Sequence, residues 1–116
     1  MLPKLLAPAG NLDKLIMAVQ YGADEVYFAG KSMGMRAGSK NFTKDDLKQG
    51  VEYCDKYGRK ANITVNIIPH NDDLKGIEGY LKYLHKIGTD ALIVADPGVV
   101  EIVKQTIPDM KIHLST

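Results

Sequence analysis

Three glycines, Gly22, Gly58 and Gly88, constrain this chain more than any other feature. Each closes a stretch in which apolar residues recur at helical spacing, and each is followed within a few residues by a short apolar run of strand type. They recur every 30 to 36 residues, about the length of one strand–helix unit. A chain punctuated in this way alternates strands and helices through short connections. That grammar implies a parallel sheet with right-handed crossovers.

The elements follow in order. A first strand lies within Leu2 to Ala9 and turns at Ala9-Gly10, after which Asn11 caps a helix with Leu12, Leu15, Ile16 and Val19 on one face. Strand two is Glu25 to Ala29. A long Gly-rich loop then leads to Thr43, which with Asp46 forms a capping-box pattern for a helix burying Leu47, Val51, Cys54 and Tyr57. Strand three spans Ala61 to Ile68, with Ile63, Val65 and Ile67 on one side and Asn62, Thr64 and Asn66 on the other. Asp72 or Asp73 caps a third helix whose stripe is Leu74, Ile77, Leu81 and Leu84, leaving His85 solvated on its outer edge. Ala91 to Ala95 is a continuous apolar strand, Asp96-Pro97-Gly98 opens a fourth helix, and Lys111 to Ser115 is the fifth strand.

Five strands and four helices over residues 1–116 fit one domain or part of one. Two architectures accommodate them: the N-terminal half of a TIM (β/α)₈ barrel, or a small doubly wound parallel sheet. The polar rows Asn62, Thr64, Asn66 and Lys111, His113, Ser115 favour the half-barrel, because helices on both faces of a sheet leave little room for such rows. The interior of a barrel mouth accommodates them.

Composition excludes several classes of function. Fifteen Lys and Arg against fourteen Asp and Glu leave a formal charge of +1, so no overall basic field draws the chain onto nucleic acid or anionic membrane. No apolar run reaches the ~18 residues of a membrane span, so a cytoplasmic location is expected. Cys54 is the one cysteine, which rules out a disulfide framework or an all-cysteine metal site within these residues.

In either architecture ligands meet the carboxyl ends of the strands. The loop from Gly30 to Lys40 offers backbone amides with Lys31, Arg36 and Lys40 for an anion, although its glycines also simply permit a long turn. His70, between Pro69 and Asn71, stands where a general base would be placed, or is a turn histidine. His113 sits mid-strand on the polar face. Asp96 could orient a substrate, while Asp-Pro-Gly is equally good turn chemistry. Ser115, His70 and Asp96 can be written as a triad, but no nucleophile elbow supports it. His70 with Asp72 and Asp73 lacks the spacing of a zinc site, so no metal is expected.

Five ordered segments, LLAPAGNLDKL, YGADEVYFAGKSMGMRAGSKNFT, NITVNIIPHNDDL, DALIVADPGVV and IHLST, resemble the N-terminal part of the collagenase-like peptidase family U-32. The resemblance implies a barrel-type catalytic segment of a longer protein and makes peptide-bond hydrolysis the first expectation. Other members of that family act in oxygen-independent or prephenate-dependent hydroxylation of RNA or of a quinone precursor, which is the alternative. A non-catalytic half-barrel that associates with another chain is a third reading. By motif position the resemblance also points to Arg36, Asn66, His70, Asn71, Asp96, His113 and Ser115 as lining the mouth. His70, Asp96 and Ser115 are then the catalytic candidates, and Arg36, Asn66, Asn71 and His113 the substrate-binding ones. The family's iron–sulfur cluster is held by cysteines downstream of this segment, and Cys54 matches none of them. The substrate expected is a peptide or an RNA, with no membrane partner. The sheet is expected to pack against a second copy or against the other half of a barrel.

Overall fold

The computed structural model describes residues 5–29, 43–65 and 74–114, except for the side chains of residues 74 and 75. Nine elements alternate: β1 (Leu6–Pro8), α1 (Leu12–Gln20), β2 (Glu25–Phe28), α2 (Lys44–Lys56), β3 (Lys60–Thr64), α3 (Leu74–Lys86), β4 (Ala91–Val94), α4 (Pro97–Thr106) and β5 (Ile112–Leu114). All the strand pairs are parallel, and the sheet order is β1-β2-β3-β4-β5.

That order settles the architecture. A doubly wound sheet reverses its strand order part-way, which sends helices to both faces. Here each strand pairs with its successor, and crossovers of one hand carry every helix to the same side. The doubly wound alternative is therefore corrected: the chain forms a half-barrel.

Register sorts the strand residues into two faces. Val26, Phe28, Ala61, Ile63, Leu92 and Val94 point toward the helices and are each at most 2% exposed. Leu15 and Val19 of α1, Leu47, Val51 and Cys54 of α2, Leu81 and Leu84 of α3, and Val99 and Val103 of α4 belong to the same buried cluster. Each such aliphatic side chain contributes roughly 1.5–3 kcal/mol by leaving water. The opposite, concave face carries Leu6, Pro8, Glu25, Tyr27, Lys60, Asn62, Thr64, Ala91, Ile93 and His113.

Local chemistry fixes the element ends. Gly22, Gly58 and Gly88 all have positive φ, at 96°, 69° and 93°, which turns the chain out of each helix and into the next strand. Two residues after Gly22 and Gly88, an aspartate reaches back to an earlier strand. Asp24 Oδ2 accepts from the Leu5 amide and Asp90 Oδ2 from the Ala61 amide, each at 2.8 Å. Asn11 caps α1 through the Lys14 amide at 2.8 Å. At α2 the expected capping box is complete: the Asp46 amide donates to Thr43 Oγ1 at 3.1 Å, and the Thr43 amide to Asp46 Oδ2 at 3.2 Å.

One side-chain expectation changes, and two details are added. Tyr57 is 50% exposed, because α2 stops at Lys56 and leaves Tyr57 as the C-cap, beside Tyr53 with ring centroids 4.8 Å apart. Tyr80 takes a buried place on α3 beside Ile77, Leu81 and Leu84. His85 is exposed on the outer edge of α3 as expected, and its Nε2 also lies 3.0 Å from Asp109 Oδ2, which ties α3 to the turn before β5. The expected cap of α3 at Asp72 or Asp73 lies outside the described residues, as does the continuation of strand three through Asn66 and Ile68. Among the described residues no helix is long and apolar enough to cross a membrane.

Candidate functional site

Among the described residues, cavities of opposite character lie at the two ends of the concave face. The upper one lies at the carboxyl ends of β1, β2 and β3, where Pro8, Ala9 and Gly10, then Tyr27, Phe28 and Ala29, and Thr64 enclose about 250 Å³. Its wall is largely apolar. Tyr27 reaches it because strand alternation buries Val26 and Phe28 and turns Glu25 and Tyr27 the other way. Parallel-barrel enzymes bind their substrates at this end.

The lower cavity, about 90 Å³, is polar and sits toward the amino ends of the strands. Glu25, Lys60, Asn62, Asp90, Ala91, Lys111 and His113 line it. Asn62 Nδ2 donates to Glu25 Oε1 at 3.0 Å, while Asn62 Oδ1 is buried without a hydrogen-bond partner among the described residues. The two acidic and two basic side chains offset one another. This end of a parallel barrel is its structural floor rather than its substrate mouth.

The sequence candidates separate accordingly. Asp96 is the N-cap of α4, and its Oδ1 accepts from the Gly98 amide at 2.6 Å while Pro97 occupies the first turn. That carboxylate performs the turn chemistry of its Asp-Pro-Gly context. His113 is exposed on β5 and lines the lower, polar cavity with Lys111. Asn62 and Thr64, expected as one polar row, divide between the two cavities. Arg36, Asn66, His70, Asn71 and Ser115, together with Lys31 and Lys40, lie outside the described residues.

Tyr27 and Glu25 were not singled out by sequence reasoning. The signal was present in the period-two alternation of Glu25-Val26-Tyr27-Phe28, which places an aromatic ring on the face opposite the core. Four residues are a short run in which to read it.

Cys54 offers neither a nucleophile nor a cluster ligand. Burial in the helix–sheet layer, reinforced by the Asp90 carboxylate, pushes its thiol up to about 11, so the reactive thiolate is suppressed. An iron–sulfur cluster needs several such thiolates. The donor set of this chain does not fit one. Among the described residues no group of three or more His, Cys, Asp or Glu is placed to hold a metal ion.

Known proteins match the chain along nearly its whole length. It is 46% identical to tRNA hydroxylation protein P1 of Bacillus subtilis over 98% of the chain and 27% of that protein. It is 36% identical to the 23S rRNA 5-hydroxycytidine C2501 synthase of Escherichia coli over 97% of the chain and 17% of that protein. The chain thus spans about a quarter or less of these relatives. Among solved structures, the U32 peptidase Mk0906 superposes with a TM-score of 0.75 at 18% identity, over 98% of this chain and 49% of that one, which supports the barrel architecture. The model of peptidase family U32 matches residues 10–116, and the chain belongs to that family.

Proposed function

We propose that this chain is the substrate-end segment of an RNA-hydroxylating enzyme rather than of a peptidase. The observation that carries the reading is its 46% identity, over nearly all of its length, to a protein named for tRNA hydroxylation. A second relative named for hydroxylating a ribosomal RNA cytidine supports it. Hydroxylation, the alternative reading of the sequence, is thus better supported than hydrolysis of peptide bonds.

Peptide hydrolysis requires an activated nucleophile beside a base, or a metal-bound water. Cys54 is buried with its proton held, and Asp96 is engaged in a helix cap. The cavity at the mouth is instead largely apolar and includes Tyr27 in its lining. RNA enzymes that act on a base commonly take it out of its stack and seat it against such surfaces. Any iron–sulfur cluster used in the reaction would draw its cysteines from outside residues 1–116, and the setting would be the cytoplasm, where RNA is modified.

The test is a nucleoside profile. Cells lacking the gene should lose hydroxylated pyrimidine from transfer or ribosomal RNA, and the full-length gene should restore it. An unchanged profile, with peptide cleavage by the purified full-length protein, would return the assignment to hydrolysis.

A further inference from the structure

Tyr27 lies on the concave face near the carboxyl end of β2, the end at which parallel barrels meet their substrates. Its neighbours on β2, Val26 and Phe28, are buried at 0% and 2% exposure, whereas Tyr27 is half-buried on the concave face with its ring on the upper cavity. Its hydroxyl makes no hydrogen bond among the described residues, and neither does that of Thr64 across the cavity. Pro8, Gly10 and Ala29 form the rest of the wall with small or rigid groups, so no long side chain among the lining residues covers the ring face.

The cavity, about 250 Å³ and open to solvent, has room for one flat ring against Tyr27. A flat, weakly polar body against an aromatic face gains stacking energy whatever its sequence context.

Resting on the reading of the chain as RNA-modifying, we propose that the mouth cavity seats one unstacked pyrimidine ring of an RNA. The base stacks on Tyr27, and a polar edge of the base meets the Thr64 hydroxyl. Tyr27 is then a substrate-contacting residue that sets affinity for the base. Thr64 contributes to telling one base edge from another.

The experiment uses the full-length protein and two RNA hairpins, identical except that one carries a single loop uridine and the other an abasic ribose at that position. Wild-type protein is expected to bind the uridine hairpin more tightly, by about tenfold if one base is stacked. Tyr27→Leu should bind both hairpins alike, and Tyr27→Phe should keep the preference. Ala29→Leu, which fills the cavity and leaves Tyr27 in place, should also abolish it and serves if Tyr27→Leu does not fold. A wild-type protein that does not distinguish the hairpins, or a folded Tyr27→Leu or Ala29→Leu variant that keeps the full preference, overturns the assignment. Failure of the RNA-hydroxylation reading would show separately, as an unchanged nucleoside profile in the deletion strain.

Discussion

Asn62 donates its side-chain amide to Glu25 Oε1 at 3.0 Å across the β2–β3 pair, and its own Oδ1, buried on the same concave face, accepts from no described residue. Asn62 is 3% exposed, so the orphan oxygen costs desolvation without a compensating bond. The Glu25 bond offsets part of that cost and fixes which way the amide faces. A carboxylate at position 62 could not substitute for it, because it would set a second negative charge against Glu25.

Asn62→Asp is therefore expected to destabilise by about 2–3 kcal/mol at pH 7, and by much less near pH 4. The introduced carboxyl has its folded-state pKa raised by burial and by Glu25. Its contribution is intact below the unfolded pKa and is lost as pH rises through the folded one. Asn62→Leu removes the orphan acceptor together with the donor and should cost only about 1 kcal/mol. Urea unfolding of both variants at the two pH values checks this, and equal losses for Asn62→Asp at both would rule out charge repulsion as the cause.

Asp96 separates a structural role from a chemical one. Its Oδ1 accepts from the Gly98 amide at 2.6 Å, a bond that an asparagine oxygen can also make. Asp96→Asn should stay within about 0.5 kcal/mol of wild type and, on the proposed RNA-hydroxylating function, leave the nucleoside profile given by the full-length protein unchanged, while Asp96→Ala should lose about 1 kcal/mol. A changed nucleoside profile with a stable Asp96→Asn variant would show that the carboxylate acts beyond the cap.

These two positions show what was legible in the sequence. Reading neighbours alone is enough where a cap acts over two or three residues, and Asp96 with Pro97, like Thr43 with Asp46, could be read in that way. The glycine period revealed the repeat, because each positive-φ exit is a local event. The bond between Glu25 and Asn62 joins residues 37 apart, and that between His85 and Asp109 residues 24 apart, so each depends on how separate elements pack. The choice between half-barrel and doubly wound sheet was legible only as a bias in the polar rows. Strand order decided it, and strand order is a property of the whole sheet.

The glycine exits carry a cost that can be measured at Gly88. Its φ of 93° lies in a region that side chains rarely adopt, and a Cβ there would meet Val51 Cγ1 at an ordinary 3.8 Å. Backbone strain rather than collision should thus dominate, and Gly88→Ala is expected to lose about 1–2 kcal/mol. Gly88→Asn should lose less, since asparagine tolerates the left-handed region better. Chemical denaturation of the two variants decides between strain and packing, because a packing cost would rank the larger asparagine as worse.

Cys54 makes the helix–sheet layer sensitive to alkaline pH. Its thiol is pushed up to about 11 from an ordinary value of 9.0, first by burial and then by Asp90, and burial alone carries Tyr80 up to about 12. For an acid whose folded pKa is raised, stability is intact below the unfolded pKa and declines as pH rises toward the folded one. Stability should hold up to about pH 9 and then fall by about 2 kcal/mol by pH 11 on account of this thiol, as the unfolded thiol ionises some two pH units before the folded one. Cys54→Ala should cost about 1–2 kcal/mol at pH 7 through the lost packing, yet reduce the slope between pH 9 and 11 to the part that Tyr80 contributes above about pH 10. Native protein at pH 8 should also react with a thiol reagent only as fast as it opens, and full reactivity without unfolding would contradict the burial on which the pH profile depends.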